Sequence, residues 1–127
     1  MVEKGIFKTR AQDTCSTAYH FQLAFYVFQE NGTYVSYCPS LDISSSGRDF
    51  REAVENFYKC FQLHIDCCMK AGTLHDDLLV HGWNFTKSNV APPAFSVLMK
   101  KPEMKKLMNS DLCFERVVTS VRLPLFA

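Results

Sequence analysis

His20-Phe21-Gln22-Leu23-Ala24-Phe25-Tyr26-Val27-Phe28 puts Phe21, Leu23, Phe25 and Val27 on one face at the two-residue period of a strand. Glu30-Asn31-Gly32 follows, with residues that tolerate positive φ, and Thr33-Tyr34-Val35-Ser36-Tyr37-Cys38 resumes with β-branched and aromatic side chains, which predicts an antiparallel hairpin. Pro39 has no N–H for a ladder, so the second strand should stop before it. Leu41 to Ser45 can form a short third strand, with Gly47 permitting a turn. Asp49 is placed to cap a helix and Glu52, three residues on, to complete a capping box. Phe50, Ala53, Val54, Phe57, Phe61, Ile65 and Cys68 then recur at helical spacing up to Gly72, a left-handed stop. His20 to Gly72 therefore reads as two strands, a third, and a helix of roughly six turns.

Behind this unit the pattern is more broken. Thr73 can cap a short helix through Leu74, Leu78 and Leu79, ending at His81-Gly82. Trp83-Asn84-Phe85 reads as a fourth strand returning to the sheet, and Lys87 to Pro93 as a loop closed by a proline pair. Ala94 to Met108 gives one helix broken at Pro102 or two short ones, and Arg116 to Leu123 a final strand stopped by Pro124. The expected class is α+β: an antiparallel sheet of three strands, a long helix and a returning fourth strand, then C-terminal helices and a last strand. Residues 20–86 form the expected main domain, and 87–127 an extension packed on the same core or exchanged between subunits.

At 127 residues with 47% hydrophobic content the chain can bury a substantial core, and fourteen basic against thirteen acidic residues leave a net charge of only +1. No global field argues for nucleic acid or an anionic membrane. Lys100, Lys101, Lys105 and Lys106 form the one basic cluster and read as a solvated helix face. Met1 to Thr17 contains no apolar segment of signal-peptide length and no run reaches the length of a membrane span, so the expectation is a cytoplasmic protein with no membrane association.

Six cysteines, at 15, 38, 60, 67, 68 and 113, show no C-x-x-C spacing. Cys60, His64 and Cys67 share a helical stripe, but a metal there needs a fourth ligand from elsewhere. Cysteine as a small hydrophobe is the better-supported reading, and neither a metal nor a cofactor is expected. Metal-dependent phosphodiester cleavage needs several converging carboxylates. Asp49 and Glu52 are accounted for by capping, which leaves Asp42 by itself, and Ser44-Ser45-Ser46 has no neighbouring base. His20, His64, His75 and His81 have no evident partner in sequence, so an enzyme is not expected and no catalytic residue is assigned.

Tyr34-Val35-Ser36-Tyr37-Cys38-Pro39-Ser40-Leu41-Asp42 after Asn-Gly, followed by Gly47-Arg48-Asp49-Phe50-Arg51-Glu52-Ala53, resembles the HicB family of antitoxins. The Leu78-Leu79-x-His81-Gly82-Trp83 segment and the closing Val-x-x-Val-x-Leu-Pro strand resemble a short HicB-like subgroup, so the likeness covers roughly residues 20 to 124. The resemblance implies a truncated ribonuclease H-like unit without nuclease chemistry, which binds a HicA-type toxin, a small ribonuclease, and covers its active site. Many members also carry a C-terminal DNA-binding domain. Here only four residues follow the final strand, too few for a ribbon-helix-helix, and Pro102 sits where a helix-turn-helix in residues 94–109 would have to turn. The alternatives to an antitoxin are an orphan oligomeric scaffold and a DNA-binding regulator using residues 94–109.

Opposite Phe21, Leu23, Phe25 and Val27, the first strand still carries Ala24, Tyr26 and Phe28, whereas a solvated face would be mostly polar. Both faces need cover, and one helix supplies one side. The C-terminal helices, a second subunit or a partner must supply the other. Val117, Thr119, Val121 and Leu123 alternate along the last strand, which can pair as an edge within its own chain or with a neighbouring copy, and a homo-oligomer is expected. Tyr37, Asp42 and the Ser44-Ser45-Ser46-Gly47-Arg48 turn mix aromatic, acidic and basic groups beside a rigid sheet and are the candidate partner-binding residues.

Overall fold

The hairpin forms where the alternation predicts it, in a computed structural model that describes residues 2–8, 18–86, 89–110 and 113–124. Cys15 and most of the Met1 to Thr17 segment, Lys87 and Ser88 of the loop, and the residues after Pro124 lie outside the described residues. Strand β1 is Val2–Lys8, β2 is Ala18–Glu30 and β3 is Thr33–Cys38. Asn31 and Gly32 both take positive φ, 53° and 81°, the requirement of a two-residue turn whose twist suits a hairpin. The register that results sets Val27 opposite Ser36 and Tyr26 opposite Tyr37.

β4 is Ile43–Gly47, starting two residues later than expected because the chain first makes a turn through Pro39 and Ser40, with Asp42 at φ 56°. Gly47 serves less as a turn residue than as a gap. A Cβ there would meet the backbone of Ala53 and Glu52 at 2.5 and 2.7 Å, so the missing side chain is what lets the helix start against the strand. That helix, α1, is Phe50–Ala71. Asp49 accepts from the Glu52 amide at 2.8 Å, and the Glu52 carboxylate reaches back to the Arg48 amide, also at 2.8 Å. Gly72, at φ 70°, ends it, with the Thr73 amide donating to the Cys68 carbonyl at 2.9 Å.

The sheet order is β1-β7-β2-β3-β4, where β7 is Phe114–Pro124. β7 is therefore an internal strand rather than an edge: it runs antiparallel along β2 from Ala18 to Phe28 in its own chain, and β1 pairs parallel to its far side. β1 has no clean alternation in sequence, and its register with β7 shifts between Lys4 and Ile6. The expected fourth strand at Trp83 to Phe85 does not join this sheet. β5, Asn84–Phe85, pairs instead with β6, Val90–Ala91, in a separate two-stranded ribbon. The place beside β2 is taken by β7, whose eleven cross-strand partners outweigh anything a two-residue segment can offer.

The outcome is an α+β fold with a core on each side of the sheet. On one side Leu23, Phe25, Val27, Val117 and Val121 meet Val54, Phe57, Phe61 and Ile65 of α1, and Phe25 stacks on Phe57 with ring centroids 4.0 Å apart. Thr119 and Leu123 are buried on this face too. α2, Leu74–Val80, follows α1, although Thr73 makes no side-chain cap to its first turn. Trp83 packs edge-on to Phe21 and donates its indole N–H to the Ser40 carbonyl at 2.7 Å, which ties the segment after α2 to the turn after β3. On the opposite side, Tyr26 and Tyr37 meet Met104 and Leu107. These belong to α4, Pro102–Asn109, preceded by the single turn α3, Phe95–Leu98, so the 94–108 stretch is two short helices with Pro102 at the start of the second. Among the described residues no helix is long and apolar enough to cross a membrane.

Because the groups facing Gly47 are backbone, Gly47→Ala must displace the start of α1. It should cost about 1–3 kcal/mol of stability, read as a lower midpoint of urea unfolding, and an unchanged midpoint would contradict the close approach.

Candidate functional site

Between the sheet and α4 lies a half-open cavity of about 330 Å³. β2 contributes Phe28 and Glu30, β3 Val35 and Tyr37, the following turn Asp42, β4 Ser44, and α4 Glu103, Lys106 and Leu107. Sheet register explains the convergence: Phe28 pairs with Val35, Tyr26 with Tyr37, and Tyr37 with Ser44, so these side chains share the face that α1 does not cover. Phe28, Val35, Tyr37 and Leu107 supply the apolar lining. Glu30, Asp42 and Glu103 bring three carboxylates against one ammonium, Lys106.

Tyr37 is the hinge of this site. Its ring is buried and its hydroxyl donates to Asp42 Oδ1 at 3.1 Å. Burial, reinforced by the hydrogen bond and charge of Asp42 and by the charge of Glu103, pushes its phenol well above the ordinary tyrosine value. The group stays a neutral donor, already committed to Asp42, and the Asp42 side chain is positioned by its left-handed backbone and by Tyr37. Beneath the turn, Cys38 is fully buried, its thiol 3.3 Å from the Ser40 hydroxyl and pushed up to about 11, chiefly by burial.

Of the five residues chosen from sequence, Tyr37, Asp42 and Ser44 meet at this cavity. Ser45 does not line it: it pairs with Ser36, whose side chain is buried on the α1 side. Arg48 is also absent from its lining. It stands in solvent and forms a bidentate contact with Glu52, at 3.2 and 2.9 Å. Glu30 and Phe28 could have been added from the sequence, since they continue the Tyr26 alternation. Glu103, Lys106 and Leu107 could not, because nothing local states which sheet face α4 will meet.

The helical stripe of Cys60, His64 and Cys67 is rearranged. Cys60 points to the Ser44 carbonyl of β4 at 3.9 Å and Cys67 is exposed, while His64 is joined by Cys68 and by Asp77 of α2. His64 Nε2 lies 2.9 Å from Asp77 Oδ2 and 3.8 Å from Cys68 Sγ. This is not a nucleophile relay, in which the carboxylate holds the ring nitrogen opposite the one that faces the thiol. Here both reach the same nitrogen, and burial together with the Asp77 charge raises the Cys68 thiol rather than activating it. Among the described residues no other group of three His, Cys, Asp or Glu donors comes together in this way, so Asp42, Asp49 and Glu52 form no such cluster. Comparison with protein-family models, curated proteins and solved structures finds no match to this chain.

Thiol labelling of the native protein should modify the exposed Cys67 and Cys113 and leave Cys38 untouched until denaturant is added, read by mass spectrometry of the peptides. Rapid native labelling of Cys38 would mean that the Pro39–Asp42 turn opens.

Proposed function

We propose that the protein is a non-catalytic protein-binding module, the antitoxin of a HicA/HicB-type pair, and that it covers a small ribonuclease toxin through the cleft between β2, β3, β4 and α4. The observation that carries this reading is an apolar, half-open cleft rimmed by Glu30, Asp42 and Glu103 against Lys106. A ribonuclease that holds RNA must present cationic groups to the phosphate backbone. A protein that covers such a surface does best with fixed carboxylates around an apolar anchor site, because charge complementarity steers the encounter and a buried aromatic platform supplies affinity. Tyr37 and Asp42 meet both needs from adjacent positions. The resemblance of Tyr34 to Asp42 and Gly47 to Ala53 to HicB antitoxins supports the same reading, and with it a cytoplasmic location beside the toxin.

The partner to isolate is whatever co-purifies with the tagged full chain from its native host, identified by mass spectrometry and then assayed as a ribonuclease with and without this protein. Reversing the rim with Asp42→Lys and Glu103→Lys should weaken binding to that toxin by about tenfold or more, mostly through a slower, salt-insensitive association. An affinity unchanged by the double reversal, or recovery of the protein by itself, would overturn the assignment.

A homo-oligomeric state belongs to the same proposal. Leu63 at 65%, Val80 at 82%, Phe95 at 52% and Val97 at 50% exposure are large apolar groups left in solvent by a single copy. Light scattering should give at least a dimer at micromolar concentration, and a monomer would count against it.

A further inference from the structure

Away from the cleft, the corner between α1 and α2 gathers three donors of different chemistry. His64 and Cys68 are one turn apart on α1, where side chains at i and i+4 share a face, and Gly72 turns the chain so that Asp77 of α2 comes up beside them. His64 Nε2, Cys68 Sγ and one Asp77 carboxylate oxygen all lie within 4.8 Å of one another. In the metal-free corner a protonated Nε2 donates to Asp77 at 2.9 Å, and the Cys68 thiol at 3.8 Å is a weak further contact. Once the imidazole nitrogen and the thiol give up their protons, the same three atoms offer lone pairs to one volume, which a single cation can share.

From this geometry we infer that His64, Cys68 and Asp77 form a binding site for a divalent zinc-type cation. The donor set is the sulfur, imidazole and carboxylate mixture that a borderline-soft ion such as Zn²⁺ takes. Tetrahedral zinc with Zn–N and Zn–O near 2.1 Å and Zn–S near 2.3 Å separates its donors by about 3.4 to 3.6 Å. The His64–Asp77 separation of 2.9 Å would have to open by about half an ångström, the Cys68–His64 separation of 3.8 Å to close by a few tenths, and the Cys68–Asp77 pair, within 4.8 Å, to reach about 3.6 Å, adjustments that side-chain rotation can supply. An outer shell is also present: the His81 ring Nδ1 bonds the Asp77 carbonyl at 2.8 Å and sits 3.7 Å from Asp77 Oδ2, which fixes the residue that α2 contributes. His64 and Asp77 keep 27% and 22% of their side-chain surface exposed, so solvent reaches the corner and water or a small exogenous ligand can serve as a fourth donor. None of the three residues lines the cleft proposed for the toxin, and the site stands whether or not that reading does.

The test is titration of the reduced full-length chain with Co²⁺, read by ligand-field absorption and by thiolate-to-cobalt charge transfer, followed by displacement with Zn²⁺. One equivalent should bind with the intensity of a tetrahedral centre. Cys68→Ser should abolish the charge-transfer band, His64→Gln and Asp77→Asn should each weaken binding by about tenfold or more, and Cys60→Ser and Cys67→Ser should change neither. Circular dichroism of the metal-free variants establishes that they are folded. Failure of the wild-type chain to take up one equivalent overturns the site without reference to any variant. So does a charge-transfer band that survives Cys68→Ser or disappears in Cys67→Ser.

Discussion

The stack of Phe25 on Phe57, with centroids 4.0 Å apart, is the contact from which the rest of the molecule follows. Phe25 lies near the centre of the middle strand and Phe57 at the start of the third turn of the long helix α1, both fully buried. Burying each ring contributes about 1.5–3 kcal/mol, and their pairing about 0.5–1.5 more. Once Phe25 is committed to α1, the pleat sends Tyr26 to the opposite face. An exposed tyrosine between Ala24 and Phe28 would leave an apolar strip on the sheet, so the short α4 helix, with Met104 and Leu107, is recruited to cover it. The cleft exists because α4 covers only part of that strip: eight residues lie over Tyr26 and Tyr37 and leave Phe28 and Val35 open at the side.

This dependence explains which parts of the fold were legible in the sequence. Wherever one face of an element is buried by another strongly periodic element, the pattern is readable: Phe21 to Val27, Phe50 to Cys68, and Val117 to Leu123 all emerge as predicted. Where pairing is decided by competition, it is not. Trp83-Asn84-Phe85 has good strand composition, yet the seat it would take is won by an eleven-residue strand arriving from much later in the chain. β1 is invisible for a related reason. It pairs with β7 through a register that shifts between Lys4 and Ile6, and the sequence Val2-Glu3-Lys4-Gly5-Ile6-Phe7-Lys8 has no two-residue alternation to read. The cleft was half legible. Tyr37, Asp42 and Ser44 belong to contiguous, register-linked backbone, whereas Glu103 and Lys106 arrive by docking of a helix with no local signal for its destination. The donor cluster was half legible too: helical spacing offers Cys68, at i+4, to His64 as readily as Cys60 or Cys67, and only packing of α2 brings in Asp77.

The two polar sites divide the electrostatics of the molecule in an informative way. At the cleft, the Asp42 carboxylate accepts from a phenol whose own ionisation is suppressed, so the hydrogen bond that positions Asp42 is always supplied by a neutral donor. Such a group is suited to recognition, where a fixed charge loses little entropy on binding. At the α1–α2 corner three donors of different chemistry instead converge around a short His64–Asp77 contact, an arrangement that a small cation can share once the donors lose their protons. On the readings proposed above, the first site meets a large surface as it stands, and the second takes up a small ion. With a net charge of only +1, a long-range field does not distinguish ligands for either site. Selectivity at both must come from short-range chemistry: an apolar pocket with a negative rim in one case, and a sulfur, nitrogen and oxygen donor set in the other.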